Sequence, residues 1–165
     1  MNKKRIKYIT FYDVADNKYE NRLFCLAAIN KIDYICNSLA RNNYEVEIIS
    51  PSWTNNIRGF YKRKIKQLSN NIYLRLFATF GGKNKFLRII KYLFSLVQVF
   101  FYLLVSTKKN EPIIVYHSVL LFFPIYFAKF FKRFTLILEV EELYQNVADY
   151  PKYLKKMEDR LIRAA

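Results

Sequence analysis

The sequence predicts an α/β domain built on an open, doubly wound, mostly parallel sheet of the Rossmann-like class. Three observations carry this. Five short β-branched or aromatic runs alternate with longer segments of helical apolar period. The first strand, helix and second strand are joined by short links, so their pairing is parallel and the crossover right-handed. The chain has 165 residues, 53% of them hydrophobic, with three glycines and four prolines. That is one domain with a full core and little room for low-complexity disorder.

Ile6-Lys7-Tyr8-Ile9-Thr10-Phe11 is the first expected strand. Asp13 to Asn21 is polar and reads as a loop. Cys25, Ala28, Ile29, Ile32, Ile35, Cys36 and Leu39 recur at three- and four-residue steps, one apolar face of a helix from about Arg22 to Arg41. Asn42-Asn43 stops it, since asparagine tolerates the left-handed conformation. Cys25 and Cys36 are too far apart on that face to bridge and read as small core residues.

Val46 to Ser50 is the second strand, ended by Pro51. Thr54 to Asn71 is polar and basic without a clear period. It reads as a mobile excursion, with room for a short helix around Tyr61 to Leu68. Ile72 to Phe80 alternates, which predicts a third strand with one less buried face, ended by Gly81-Gly82.

Asn84 to Ser106 is the second long helix. Lys85, Arg88 and Lys91 lie in its first turns, and Tyr92 to Thr107 carries no charge. The run is shorter than the roughly 20 apolar residues of a bilayer span and holds Ser95 and Gln98. The expectation is a helix buried against the sheet; a helix lying in the headgroup region is the second reading. Pro112 precedes the fourth strand, Ile113 to His117. Val119 to Phe131 is a short helix, or two pieces broken near Pro124, and Leu136 to Glu139 begins the fifth strand. A polar loop runs to Tyr150, and Pro151 opens a last helix, Lys152 to Ala165.

Net charge is +15, and between Glu47 and Glu111 no acidic residue occurs against twelve lysines and arginines. Such a single-sign field attracts polyanions, and Lys62, Arg63, Lys64, Lys83, Lys85 and Arg88 are its expected contacts with an anion or an anionic membrane. A solvated basic face is the plainer alternative. The apolar run Tyr92 to Val105 argues against nucleic acid as the partner. No secretory signal opens the chain, which sets the expectation of a cytoplasmic protein, peripheral on the inner face of the plasma membrane if it meets lipid.

Several chemistries are not expected. Phe11 to Phe24 contains no glycine, so the turn that lets a backbone approach a pyrophosphate is missing, and no P-loop exists. One histidine and two core-like cysteines make no metal constellation. No cofactor is therefore expected. Two positions remain. His117, the only histidine, stands beside Ser118 at the carboxyl end of the fourth strand, where it suits polarising a hydroxyl or binding a phosphate. Glu139, Glu141 and Glu142 end the neighbouring strand and suit hydrogen bonds to a sugar hydroxyl, or to His117. Each group also fits a structural role: a hydrogen-bonded core histidine, a solvated strand end. Gly81-Gly82-Lys83-Asn84-Lys85 opens a helix and suits either an anion or an ordinary strand-to-helix turn.

Five stretches resemble, in order and spacing, the N-terminal half of family 4-type glycosyltransferases of the two-domain GT-B fold, of the bacterial capsule or exopolysaccharide type. They are Asn30-Lys31-Ile32-Asp33-Tyr34-Ile35, Val46 to Ser52, Gly81 to Lys85, Val115-Tyr116-His117-Ser118 and Leu138 to Tyr144. The resemblance covers about residues 6 to 165 and implies an acceptor-binding domain of a retaining, nucleotide-sugar-dependent enzyme. It places His117 near the reacting centre and Asn30, Lys31, Ser118, Glu139, Glu141 and Glu142 around a sugar or lipid-linked acceptor. The glycine pair that many members carry after the first strand is missing here. The donor-binding half has no counterpart, so the resemblance implies a fragment, a split gene or one half of a two-chain enzyme, inactive alone.

Overall fold

The computed structural model describes residues 4–14, 17–24, 26–141, 143 and 151–165. In chain order the elements are β1 (Lys4–Ile9), α1 (Leu26–Arg41), β2 (Tyr44–Ser50), β3 (Phe60–Tyr61), β4 (Lys64–Ser69), β5 (Ile72–Leu76), β6 (Thr79–Phe80), α2 (Lys85–Ser106), β7 (Pro112–Tyr116), a 3-10 turn (Val119–Leu121), α3 (Phe122–Lys132), β8 (Thr135–Glu139) and α4 (Lys152–Ala164). Six strands form one sheet in the order β4-β5-β2-β1-β7-β8, and β3 pairs with β6 in a separate two-stranded ribbon. The five parallel members lie where the five strands are expected, but the third does not run through to Phe80: β5 ends at Leu76, and Thr79–Phe80 leaves the sheet to pair with β3. The architecture is mixed α/β of Rossmann-like type.

Strand β1 is central and buried on both faces, as an apolar run without clean alternation requires. Ile9, Ile113, Val115 and Leu136 face one core with α2, α3 and α4. Tyr8, Val46, Ile48 and Ile114 face another with α1. One helix therefore covers one side of the sheet and three cover the other.

Three further expectations change. No helix forms at Tyr61 to Leu68. These residues make β3 and β4, and β4 folds back antiparallel on β5 through a turn at Asn71, whose φ is 69°. Lysines at 64 and 66 suit an edge strand, because their charge discourages pairing with another chain. Helix α1 starts at Leu26, not near Arg22, because Arg22 pairs across to Thr54 in an isolated bridge. Its buried guanidinium meets Glu20 at 2.6 Å and donates to the carbonyls of Ser52 (2.8 Å) and Phe77 (2.9 Å). Cys25 lies outside the described residues, and Cys36 is buried, which pushes its thiol up to about 12.

The third change concerns α2. Asn84 caps it, its side chain accepting from the Leu87 N–H at 2.9 Å. Only one stripe, Lys91, Ser95, Val99 and Leu103, is buried. Much of the apolar remainder is exposed, so the helix packs on the sheet along a narrow line and is not buried around.

Candidate functional site

Strand order reverses at β1, which pairs with β2 on one side and β7 on the other. In such sheets ligands bind outside the carboxyl ends of the strands at that reversal. Tyr116 ends β7 at this edge of the sheet, His117 and Ser118 follow it, and Glu139 stands beside them at the end of β8.

Alternation along the strands divides these groups between the two faces. Tyr8, Ile114 and Tyr116 point to the α1 side. There the Lys31 ammonium, from α1, meets the carboxylates of Glu139 and, at 2.8 Å, Glu141. The Tyr8 hydroxyl donates to Glu139, and the Tyr116 hydroxyl donates to Glu141 at 2.6 Å. Burial, followed by the nearby Glu141 charge, pushes the Glu139 carboxyl up to about 7; the Lys31 ammonium works against that rise. Glu141, more exposed, is held below the usual carboxylate range by hydrogen bonds from Lys31 and Tyr116. Two acid groups of opposite tendency thus share one cation.

His117 lies on the opposite face, as its parity with Ile113 and Val115 demands. It is 5% exposed, and its Nε2 sits 3.0 Å from Oε1 of the buried Glu158 of α4. Its link to the acid cluster is through the backbone: the His117 N–H donates to the Glu139 carbonyl at 3.0 Å. Glu158, not a strand-end glutamate, is thus the carboxylate beside the imidazole among the described residues. Asn30 is exposed on α1, and Ser118 is half-buried, its carbonyl accepting from the Leu121 N–H at 3.0 Å. Glu142 and Tyr144 lie outside the described residues.

The loop after β1 is closed by side chains. Ser50 Oγ accepts from the Tyr12 N–H (3.1 Å) and donates to its carbonyl (2.6 Å), while Asp13 takes the Val14 N–H at 2.8 Å. Asp13 is 2% exposed, and burial raises its carboxyl above the ordinary value. Among the described residues of this loop, the Tyr12 and Val14 N–H groups are thus already engaged by side chains. The Gly81–Lys85 turn is likewise occupied: Gly81 N–H donates to Gly59 O (2.9 Å), and Asn84 fills the helix start.

Of the expected cationic contacts, Lys62, Arg63, Lys83, Lys85 and Arg88 are exposed. Lys64 is paired with Glu20 at 2.6 Å and Asn17 at 2.9 Å. Strand-end position identified Lys31's partners Glu139 and Glu141, but nothing in the sequence marked Tyr8, Tyr116 or Glu158, which only strand parity and helix docking bring in. Among the described residues no group of three or more His, Cys, Asp or Glu side chains is placed to hold a metal. No protein-family model matches this chain, and no curated protein matches it in sequence.

Proposed function

We propose that this domain binds the acceptor of a retaining, nucleotide-sugar-dependent glycosyltransferase acting in surface polysaccharide or glycolipid synthesis. The observation that supports it most is the convergence of Lys31, Glu139 and Glu141 with Tyr8 and Tyr116 at the carboxyl edge of a parallel sheet. A sugar presents hydroxyls that both donate and accept, and this cluster offers both partners. A Glu139 carboxyl titrating near neutrality is suited to exchange a proton with an acceptor hydroxyl. In this reading His117, buried against Glu158, is a positioning residue that fixes the ends of β7 and β8. The reading requires a second domain, facing this crevice, to hold the nucleotide sugar.

The test is titration of ¹⁵N-labelled protein with the methyl glycosides of glucose, galactose, mannose and N-acetylglucosamine. One of them should move the amide resonances of Lys31, Tyr116, Glu139 and Glu141 together. Glu139→Gln should weaken that binding about tenfold, the effect of a lost charge-assisted hydrogen bond. No response to any sugar, or a response that Glu139→Gln and Lys31→Met leave intact, overturns the reading.

A further inference from the structure

Helix α2 departs from the usual polarity in its first half, and its outward side is apolar throughout its second. A helix on the surface of a soluble domain turns apolar residues inward and polar residues to water. Here the inward stripe begins with Lys91, whose ammonium donates to the Thr54 carbonyl at 2.6 Å, and continues with Ser95. Gln98 beside it bonds both the N–H (3.2 Å) and the carbonyl (2.9 Å) of Ala78. The outward side carries Leu93, Val97, Phe101 and Val105, exposed by 57, 49, 58 and 86%. Helix α3 packs alongside and adds exposed Phe123, Phe127, Phe130 and Phe131. Between the two helices runs an apolar groove of about 230 Å³ floored by Leu96, Phe100 and Pro124. Exposed apolar area that is continuous over two helices marks a surface with a partner.

Charge around this face identifies the partner. Neither α2 nor α3 contains a carboxylate. Lys83, Lys85 and Arg88 stand at the start of α2. At the far end Lys108, Lys109, Lys132 and Arg133 surround a depression shared with Val105 and Phe131. On the β4 side Arg63 lines another with Val97 and Phe101. We propose that the α2–α3 face docks on an anionic phospholipid bilayer, both helices lying in the plane of the interface. Their aromatic and aliphatic side chains enter the acyl boundary while the flanking cations meet headgroup phosphates. The far cluster at Lys108, Lys109, Lys132 and Arg133 takes part as fully as the residues around Lys85.

Two other arrangements fit less well. Helix α2 is long and apolar enough to cross a bilayer, but Val99 and Leu103 belong to the domain core and Lys91 is fixed beneath it, so spanning would strip the sheet. A second copy would bring a net charge of +15 against the same charge. The inference stands independently of the sugar-binding reading.

The experiment is co-sedimentation with vesicles of phosphatidylcholine alone and of phosphatidylcholine mixed with phosphatidylglycerol. The protein should pellet with the mixed vesicles, less with the neutral ones, and less again as salt shortens the screening length from about 10 Å to about 3 Å. Val97→Glu combined with Phe101→Glu should lower partitioning about tenfold or more. Lys108→Glu with Lys109→Glu and Lys132→Glu should lower it on the mixed vesicles only. Both sets alter exposed or half-exposed side chains, and circular dichroism checks that each folds. In Phe101→Trp, the new indole should be quenched by brominated acyl chains, against the low background of Trp53, which is 5% exposed. Absence of vesicle binding, or binding that neither set reduces, overturns the proposal. So does a wild-type oligomer in sedimentation velocity that Phe101→Glu converts to monomer, an outcome that gives the face to a second copy.

Discussion

Glu47 and Glu139 carry the same side chain into two buried settings with opposite results. Burial works to raise Glu47. Hydrogen bonds from Tyr102 (2.7 Å) and Arg75 (2.6 Å) and the charge of Arg5 outweigh it and hold the group below its ordinary value. At Glu139 burial, joined by the charge of Glu141, wins, and the carboxyl rises to about 7 from an ordinary 4.5. The folded state therefore binds more protons than the unfolded one between those values, and Glu139 costs stability as pH rises through that window. Stability curves of wild type and Glu139→Gln should accordingly diverge from pH 5 to 8, the variant losing less, when compared by urea denaturation; parallel curves would refute the assignment. Glu47 has the opposite sign: its contribution is present above the ordinary carboxylate value and is lost as pH falls through the lower folded value. Glu47→Ala leaves Arg75 without its acid and Arg5 with only the more distant Glu45, and should cost about 3 kcal/mol in the same assay at neutral pH. At this scale Glu139 and Glu141 could be picked out because strand ends are readable, whereas Lys31 was singled out only through the resemblance. Tyr8 and Tyr116 were not, since a one-residue change of register would turn either to the other face. Glu158 was not legible either, because it reaches His117 only through the way α4 docks.

Helices and parallel strands followed from apolar period, while β4 did not. Its burial alternates against its hydrophobicity: Ile65 is 58% exposed, whereas Lys64 and Lys66 are half-buried, Lys64 through its bond to Glu20. A pattern search looks for apolar residues on the covered face and finds only Leu68. The hairpin depends on Asn71 in the left-handed region. Asn71→Val should destabilise the protein by about 1–2 kcal/mol and Asn71→Gly should leave it nearly unchanged, as read from thermal melts. Helix α2 was legible in extent but not in orientation. The uncharged run marks the helix, while only the positions of Thr54 and Ala78 explain why Lys91 and Gln98 turn inward. Asn84→Ala removes the cap and should cost about 1 kcal/mol.

Across the whole molecule, two cores meet at a central sheet whose coverage is unequal. Fold class and strand sequence were readable because consecutive parallel strands with short links leave few topologies. Which face each polar group occupies was not, and the site is made of that division. The excess of positive charge also has a global effect. Self-repulsion opposes the compact state, so the melting temperature should rise as salt increases from very low ionic strength to about 0.15 M, and a fall would show that the specific pairs dominate.

Gly81 sets a limit of a different kind. A Cβ at that position would lie 2.3 Å from the Arg58 backbone nitrogen, so the backbone entering β3 and the chain leaving β6 can lie side by side only if residue 81 has no Cβ. At Gly82 the nearest atom would be the Arg88 backbone nitrogen at 3.2 Å, a tight contact but a far milder one. Over evolutionary time these adjacent glycines should therefore drift at unequal rates. Related chains that keep the β3–β6 ribbon should hold glycine at 81 and admit alanine or serine at 82. That asymmetry is a signature by which distant relatives of this domain can be sought, where overall similarity has faded.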